Sequence, residues 1–169
     1  RRRQAFILRL YDTAHALCTA RHPRVLEVGC GAGFNLAILA DQRSPDSLHG
    51  VDLNTKSLGL FPRRWLGGEL SRKVFLQVGD ASELPFAPDS FDIVFTVGTL
   101  IHVPPNDILH TLDELWRVAP VVAIAEYGSR FAEELQWRGS YLWKRPYREM
   151  LDTKVNSIAG GAGWNEVKE

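Results

Sequence analysis

Apolar residues recur at helical spacing through the opening segment. Phe6, Ile7, Leu10, Tyr11, Ala14 and Leu17 predict a helix over 4–20, and Pro23 closes the stretch. Beyond it the pattern shortens. Compact apolar runs predict strands over 24–28, 48–53, 74–78, 91–97 and 121–125. Helical spacing returns between them over 35–40 and over 107–118, the latter through Ile108, Leu112, Leu115 and Trp116. The run over 91–97 is apolar almost throughout, as expected for a strand covered on both faces. Residues 56–66 predict an irregular helix: Asn54 offers an N-cap, but Gly59 and Pro62 fall inside and Gly67-Gly68 ends it. Residues 84–90 hold Pro85 and Pro88 and read as a loop. The tail predicts a short helix over 131–137 and a basic, aromatic segment after it. Two closing strands follow over 155–158 and 164–167, joined by the turn Gly160-Gly161-Ala162-Gly163.

Strands alternating with helices imply right-handed crossovers and an α/β fold, a doubly wound, mainly parallel sheet with helices on both faces. The chain has 169 residues, 45% of them hydrophobic, which suits one domain with one core. The expected layout is an N-terminal helix over 1–22, a cofactor-binding core over 23–127 and an acceptor-side tail over 128–169.

Charge narrows the partners. Twenty basic and twenty acidic residues cancel, so no broad basic surface is offered and a nucleic-acid partner is disfavoured. The start Arg1-Arg2-Arg3 reads as a trimmed end rather than a binding arm. Two cysteines, Cys18 and Cys30, are too few for a disulfide framework and read as free thiols in a reducing compartment. No run approaches a membrane span and no secretory signal pattern is present, so the expected location is cytoplasmic. Histidines and cysteines lack ligand spacing, and no metal site is expected. The pattern sets no oligomeric state.

The sharpest signal lies where the first strand ends. Val25-Leu26-Glu27-Val28 runs into Gly29-Cys30-Gly31-Ala32-Gly33-Phe34, and a helical pattern follows. Alternating glycines let backbone approach a ligand with no Cβ in the way. Together with Asp52, which ends the second apolar run, the pattern implies an adenosine-bearing ligand at the C-terminal ends of the strands. A dinucleotide fingerprint spaces its glycines G-x-G-x-x-G, and Phe34 stands where its last glycine would fall. Glu27 is the second discriminator. A carboxylate there would repel a pyrophosphate but attract the ammonium and sulfonium of S-adenosyl-L-methionine. The expected ligand is therefore S-adenosyl-L-methionine, leaving S-adenosyl-L-homocysteine as product.

These residues, in this order between Arg24 and Tyr127, resemble the class I S-adenosylmethionine-dependent methyltransferases. The resemblance implies a Rossmann-like sheet of about seven strands with the last one antiparallel. It also implies roles. The turn Gly29, Cys30, Gly31 and Gly33 would pass along the methionyl part. Asp52 would hold the ribose hydroxyls, and Asp80 in Gly79-Asp80-Ala81 would face the adenine amino group. Leu53, Ala81 and Val97 complete the cofactor-binding candidates.

The segment after the fourth strand, Thr96-Val97-Gly98-Thr99-Leu100-Ile101-His102-Val103-Pro104-Pro105, would sit beside the reactive methyl in that fold. It lacks the polar-Pro-Pro-aromatic order of enzymes that methylate nucleic-acid amino groups. An imidazole can take a proton from a hydroxyl or an amine, and His102 is the candidate catalytic base. A narrower resemblance joins Gly98-Thr99-Leu100-Ile101-His102, Asp113-Glu114-Leu115, Ala125-Glu126-Tyr127, Arg138-Gly139 and Leu142-Trp143-Lys144-Arg145, with Asn35-Leu36 after the glycine turn. Together these are similar to the bacterial methylases associated with pseudaminic acid biosynthesis. The resemblance implies a small-molecule acceptor, an acidic sugar or surface-glycan precursor, methylated at oxygen or nitrogen. Tyr127 could face a sugar ring, and Arg138 and Arg145 could bind its carboxylate. The competing expectation is a methyltransferase-like nucleoside-binding module with a regulatory or partner role and no turnover.

Overall fold

The computed structural model describes residues 2–60, 73–126, 133–137, 140–147 and 150. The elements in chain order are α1 (Arg2–Leu17), β1 (Arg24–Val28), α2 (Phe34–Gln42), β2 (Ser47–Asp52), α3 (Thr55–Leu58) and β3 (Val74–Val78). There follow β4 (Ile93–Val97), a 3-10 turn (Leu100–His102), α4 (Ile108–Val118), β5 (Val121–Ala125), β6 (Glu133–Trp137) and β7 (Ser140–Lys144).

Five strands form one sheet in the order β3-β2-β1-β4-β5, every neighbouring pair parallel. The order reverses between β1 and β4. In open α/β sheets that reversal opens a crevice at the carboxyl ends of the strands, because the crossovers on either side leave in opposite directions. β1, the central strand, is buried from Val25 to Val28. Its side chains alternate between two cores. Val25 joins Ile7, Leu10, Tyr11, Leu36 and Leu39 of α1 and α2, together with Ile93 and Phe95 of β4. Leu26 and Val28 join Leu100, Ile108, Leu112, Leu115 and Val118 on the α4 side. The period of two along β1 therefore directs Glu27 to the face covered by α1 and α2.

Helix α4 shows how pattern becomes packing. Ile108, Leu112, Leu115 and Val118 lie on one stripe at helical spacing, and all are buried. Its far side carries exposed Leu109, His110 and Asp113. Short α3 begins at Asn54, whose Oδ1 accepts from the amides of Lys56 and Ser57, so the expected N-cap is in place. The remainder of the expected helix over 56–66 runs beyond residue 60 and outside the described residues. Cys18 and Cys30 are free thiols. No helix among the described residues is long and apolar enough to cross a membrane.

Two expectations change in the tail. The segment expected as a helix over 131–137 contains β6, which pairs antiparallel with β7 from Glu133↔Lys144 to Trp137↔Ser140. Leu135 and Trp137 alternate with Glu134 and Gln136, a period of two, and the facing run Ser140–Lys144 supplies the partner ladder. Strand pairing here overrides the helix preference of the glutamates. The sheet expected with about seven strands has five among the described residues. β6 and β7 form their own two-stranded sheet, so an antiparallel final strand in the main sheet is not observed there. The closing strands expected over 155–158 and 164–167 lie outside the described residues.

Leu112 has no exposed surface and sits at the centre of the α4-side core. Leu112→Ala should cost about 2–5 kcal/mol of unfolding free energy in urea melts, transfer and cavity terms together. A loss below about 1 kcal/mol would show that α4 does not seal this face.

Candidate functional site

All five strands of the sheet run the same way, so the ends of β1, β2, β3 and β4 lie along one edge. That edge gathers Glu27, the glycine turn, Asp52, Asp80 and Val97.

The turn is built by backbone that only glycine tolerates without strain. Gly29 has φ +73°, and a Cβ there would stand 2.1 Å from Thr99 Oγ1. The turn and the segment after β4 thus touch directly, and Thr99 Oγ1 lies 3.4 Å from the Gly29 carbonyl, to which it donates. Gly31 differs: its φ is +55°, but its missing Cβ would meet nothing within 4 Å. This is open space beside half-buried backbone, the form of a ligand approach. Gly33, also at positive φ, stands at the N-cap of α2.

Asp52 binds the turn to β2. Its Oδ2 accepts from the Gly31 amide at 2.7 Å, and its Oδ1 accepts from the Asn54 amide at 2.8 Å. Each oxygen keeps a further lone pair. Neighbouring Leu53 is 66% exposed, an apolar side chain standing free at the strand end. Asp80 is exposed; its Oδ1 accepts from the amide and hydroxyl of Ser82, both at 2.8 Å, which shapes the turn holding half-buried Ala81. Cys30 is buried. Burial pushes its thiol up to about 12, with the carboxyls of Glu27 and Asp52 adding to the effect, so it contributes backbone and packing rather than a thiolate.

Glu27 is the unusual group. It is 1% exposed. Its Oε1 accepts from Asn35 Nδ2 at 2.6 Å, while Oε2 is buried with no hydrogen-bond partner. Burial raises its carboxyl to about 8, against the Asn35 hydrogen bond and the charge of Arg3, which favour ionisation. A buried polar atom without a partner costs free energy that a bound cation would recover. A Rossmann-type phosphate site has no use for such a group. Phe34 itself is 46% exposed: its ring turns to solvent rather than against β1. The steric case against a dinucleotide therefore falls away, and the remaining ground is that the Glu27 carboxyl gains by ionising beside a cation and has no such gain beside a pyrophosphate.

The segment after β4 is held from two sides. Glu126 Oε1 accepts from the amides of Thr99 and Leu100, at 2.8 and 3.0 Å, and from Thr96 Oγ1 at 3.1 Å; Oε2 accepts from the Ile101 amide at 3.4 Å. Burial raises the Glu126 carboxyl, and these donors pull it back toward ionisation. From the other side Arg145, 5% exposed, donates from Nη1 to the Leu100 carbonyl at 2.7 Å and from Nη2 to the Val103 carbonyl. Nη1 also reaches the Trp143 carbonyl and the Tyr147 hydroxyl. The structure gives Arg145 a bracing position inside the protein, not the carboxylate-binding position expected from the sequence, because its guanidinium is buried and faces main-chain oxygens. His102 ends the 3-10 turn with its side chain exposed, and Val97 is half-buried at the strand end. Tyr127 and Arg138 lie outside the described residues.

Asn35, Thr99, Glu126 and Arg3 shape this site beyond the residues expected from the sequence. Asn35 and Glu126 stand inside motifs the resemblance quoted, but nothing in their spacing says that Asn35 is buried or that Glu126 gathers main-chain amides. Arg3 had no sequence signal beyond a basic start.

Residues 25–120 match a family described as a methyltransferase domain. Among curated proteins, the chain is 34% identical over 106 residues to the fatty-acid O-methyltransferase of Mycolicibacterium smegmatis, covering 63% of this chain and 37% of that protein. It is 37% identical over 94 residues to the demethylmenaquinone methyltransferase of Lactobacillus johnsonii, covering 55% of this chain and 38% of the relative. The chain thus spans well under half the length of these two relatives. A solved S-adenosylmethionine-dependent methyltransferase from Methanosarcina mazei shares the fold, with a TM-score of 0.65, 18% identity, and coverage of 82% of this chain and 81% of that one.

Glu27 binds one more proton in the folded chain than in the unfolded chain between its ordinary value, 4.5, and about 8. Its contribution to stability is therefore full below pH 4.5 and is lost as pH rises through about 8. Thermal melts of the ligand-free chain should show this decline, and Glu27→Gln should flatten it. An unchanged slope in that variant would mean that Glu27 ionises normally.

With more than half of its residues inside the matched region, the chain belongs to the methyltransferase domain family, whose members use S-adenosylmethionine.

Proposed function

We propose that this chain binds S-adenosylmethionine across the carboxyl ends of β1, β2 and β3 and transfers its methyl group to an oxygen or nitrogen of a small-molecule acceptor. The observation that carries the reading is the buried Oε2 of Glu27, which has no partner, beside a turn whose Gly31 faces open space. A cationic ligand fits that pair of features; a pyrophosphate does not.

The residue roles are those the class I resemblance implies, and the strand-end positions support them. Glu27 neutralises the positive methionyl end. The turn from Gly29 to Gly33 lets main chain run close along it. Asp52 retains acceptor capacity toward ribose hydroxyls while its two oxygens hold the turn. Asp80 and the apolar Leu53 and Ala81 belong to the adenine end. When bound, the cofactor supplies an electrophilic methyl on a sulfonium. The chain's part is then alignment: a nucleophile held in line with that methyl needs little further assistance. His102, exposed at the end of the braced segment, is the proposed base for the acceptor's proton.

The acidic-sugar acceptor rests on the tail resemblance. Fatty acid and demethylmenaquinone acceptors, from the names of the two relatives, are equally open to this chain, and burial of Arg145 removes one expected carboxylate contact. A hydroxyl or amine acceptor would give up its proton to His102, whereas a fatty-acid carboxylate is already ionised and would need only alignment.

Calorimetry with S-adenosylhomocysteine tests the reading. Saturable binding is expected, weakened roughly 10- to 100-fold by Asp52→Ala, the scale of a lost charged hydrogen bond. No binding by the folded chain would overturn it. Release of S-adenosylhomocysteine across a panel of acidic sugars, fatty acids and quinols then separates an enzyme from a binding module that does not turn over.

A further inference from the structure

One chain of contacts leaves the cofactor turn and ends on the first turn of α1. Arg3 Nε donates to Asn35 Oδ1 at 3.0 Å, and Asn35 Nδ2 donates to Glu27 Oε1 at 2.6 Å. Asn35 and Glu27 are both buried, 4% and 1% exposed, while Arg3 lies at the surface. The arginine decides the orientation of the amide. A guanidinium nitrogen only donates, so Asn35 must turn its oxygen outward to Arg3 and its nitrogen inward to Glu27. With the amide fixed that way, Oε1 is satisfied and Oε2 is the oxygen left over.

The surroundings of Glu27 are mixed in charge. Arg3 on α1 favours its ionised form, Asp52 at the end of β2 opposes it, and the neutral Cys30 thiol lies in the adjacent turn. Arg3 is thus the cation that acts on Glu27 from the covering helix, and it acts both through space and through a hydrogen-bonded amide.

We propose that Arg3 is a positioning residue for the cofactor's positive end: through Asn35 it fixes the Glu27 carboxyl with Oε2 reserved, so the seat for a cationic ligand is complete only when the first turn of α1 is docked. The proposal rests on the cofactor reading above and adds a helix outside the matched region, residues 25–120, to the machinery of that site. Removing Arg3 frees the amide to rotate. A rotated Asn35 would offer its oxygen to Glu27, which favours the protonated acid and disfavours the cation-binding carboxylate.

The test compares two ligands across pH 6–9 by calorimetry, S-adenosylhomocysteine, which carries the methionyl ammonium, and adenosine, which does not. Arg3→Met should weaken S-adenosylhomocysteine roughly tenfold at pH 7 and move the pH midpoint of its affinity upward by about half a unit or more. Adenosine should bind within about twofold of the original chain. Arg3→Lys, which keeps a donor and a charge, should recover much of the loss. Equal weakening of both ligands, or an unmoved pH midpoint, would overturn the proposal while leaving the cofactor site intact. Failure of the original chain to bind S-adenosylhomocysteine at all would instead remove the reading on which it rests.

Discussion

A carboxyl group that has been taken out of water and given half of its hydrogen bonds dominates this site. Glu27 lies on the central strand, one residue before the strand runs out, with neighbours on every side. Strand alternation puts it on the face of Val25, which α1 and α2 cover. Such a group persists at a cost to stability, and a partner of positive charge recovers that cost. The glycines, the aspartate of β2 and the covering helix can all be understood as arrangements that bring such a partner to Oε2 and exclude water from it.

The far wall of the crevice follows a different principle. Segment 98–103 carries the exposed His102, yet its main chain is fixed by a carboxylate below and a guanidinium above. Glu126 collects successive amides, and Arg145 collects carbonyls from the same few residues. Both groups belong to parts of the chain that follow β5, so contacts from outside the segment fix its shape. Under the proposed function, rigid backbone beside the methyl donor is what transfer by alignment requires, because small displacements of a reacting atom cost large factors in rate.

Much of the fold was legible in hydrophobic period. β1, β3 and β5 fall where the apolar runs put them, and the order of strands and helices follows from alternation alone. The glycine turn, Asp52 and Asp80 were legible because their chemistry is local: a tight turn, or a carboxylate at a strand end. Three things were not legible, and for one shared reason. The pairing of β6 with β7, the burial of Arg145 and the partners of Glu126 all depend on contacts between distant segments, which no local window contains. Arg145 is instructive. A basic residue in an aromatic stretch reads as a surface group, and only the carbonyls of Leu100 and Val103 explain how a guanidinium can be enclosed. Phe34 failed in the opposite direction, because its identity suggested a clash that its outward orientation avoids.

The central claim is that Glu27 holds a proton until a cation replaces it. Calorimetry of S-adenosylhomocysteine binding at pH 7, in buffers of differing ionisation enthalpy, measures the protons exchanged. The account predicts release of about one proton by the intact chain and almost none by Glu27→Gln. Tight binding by the intact chain with no proton released would contradict it.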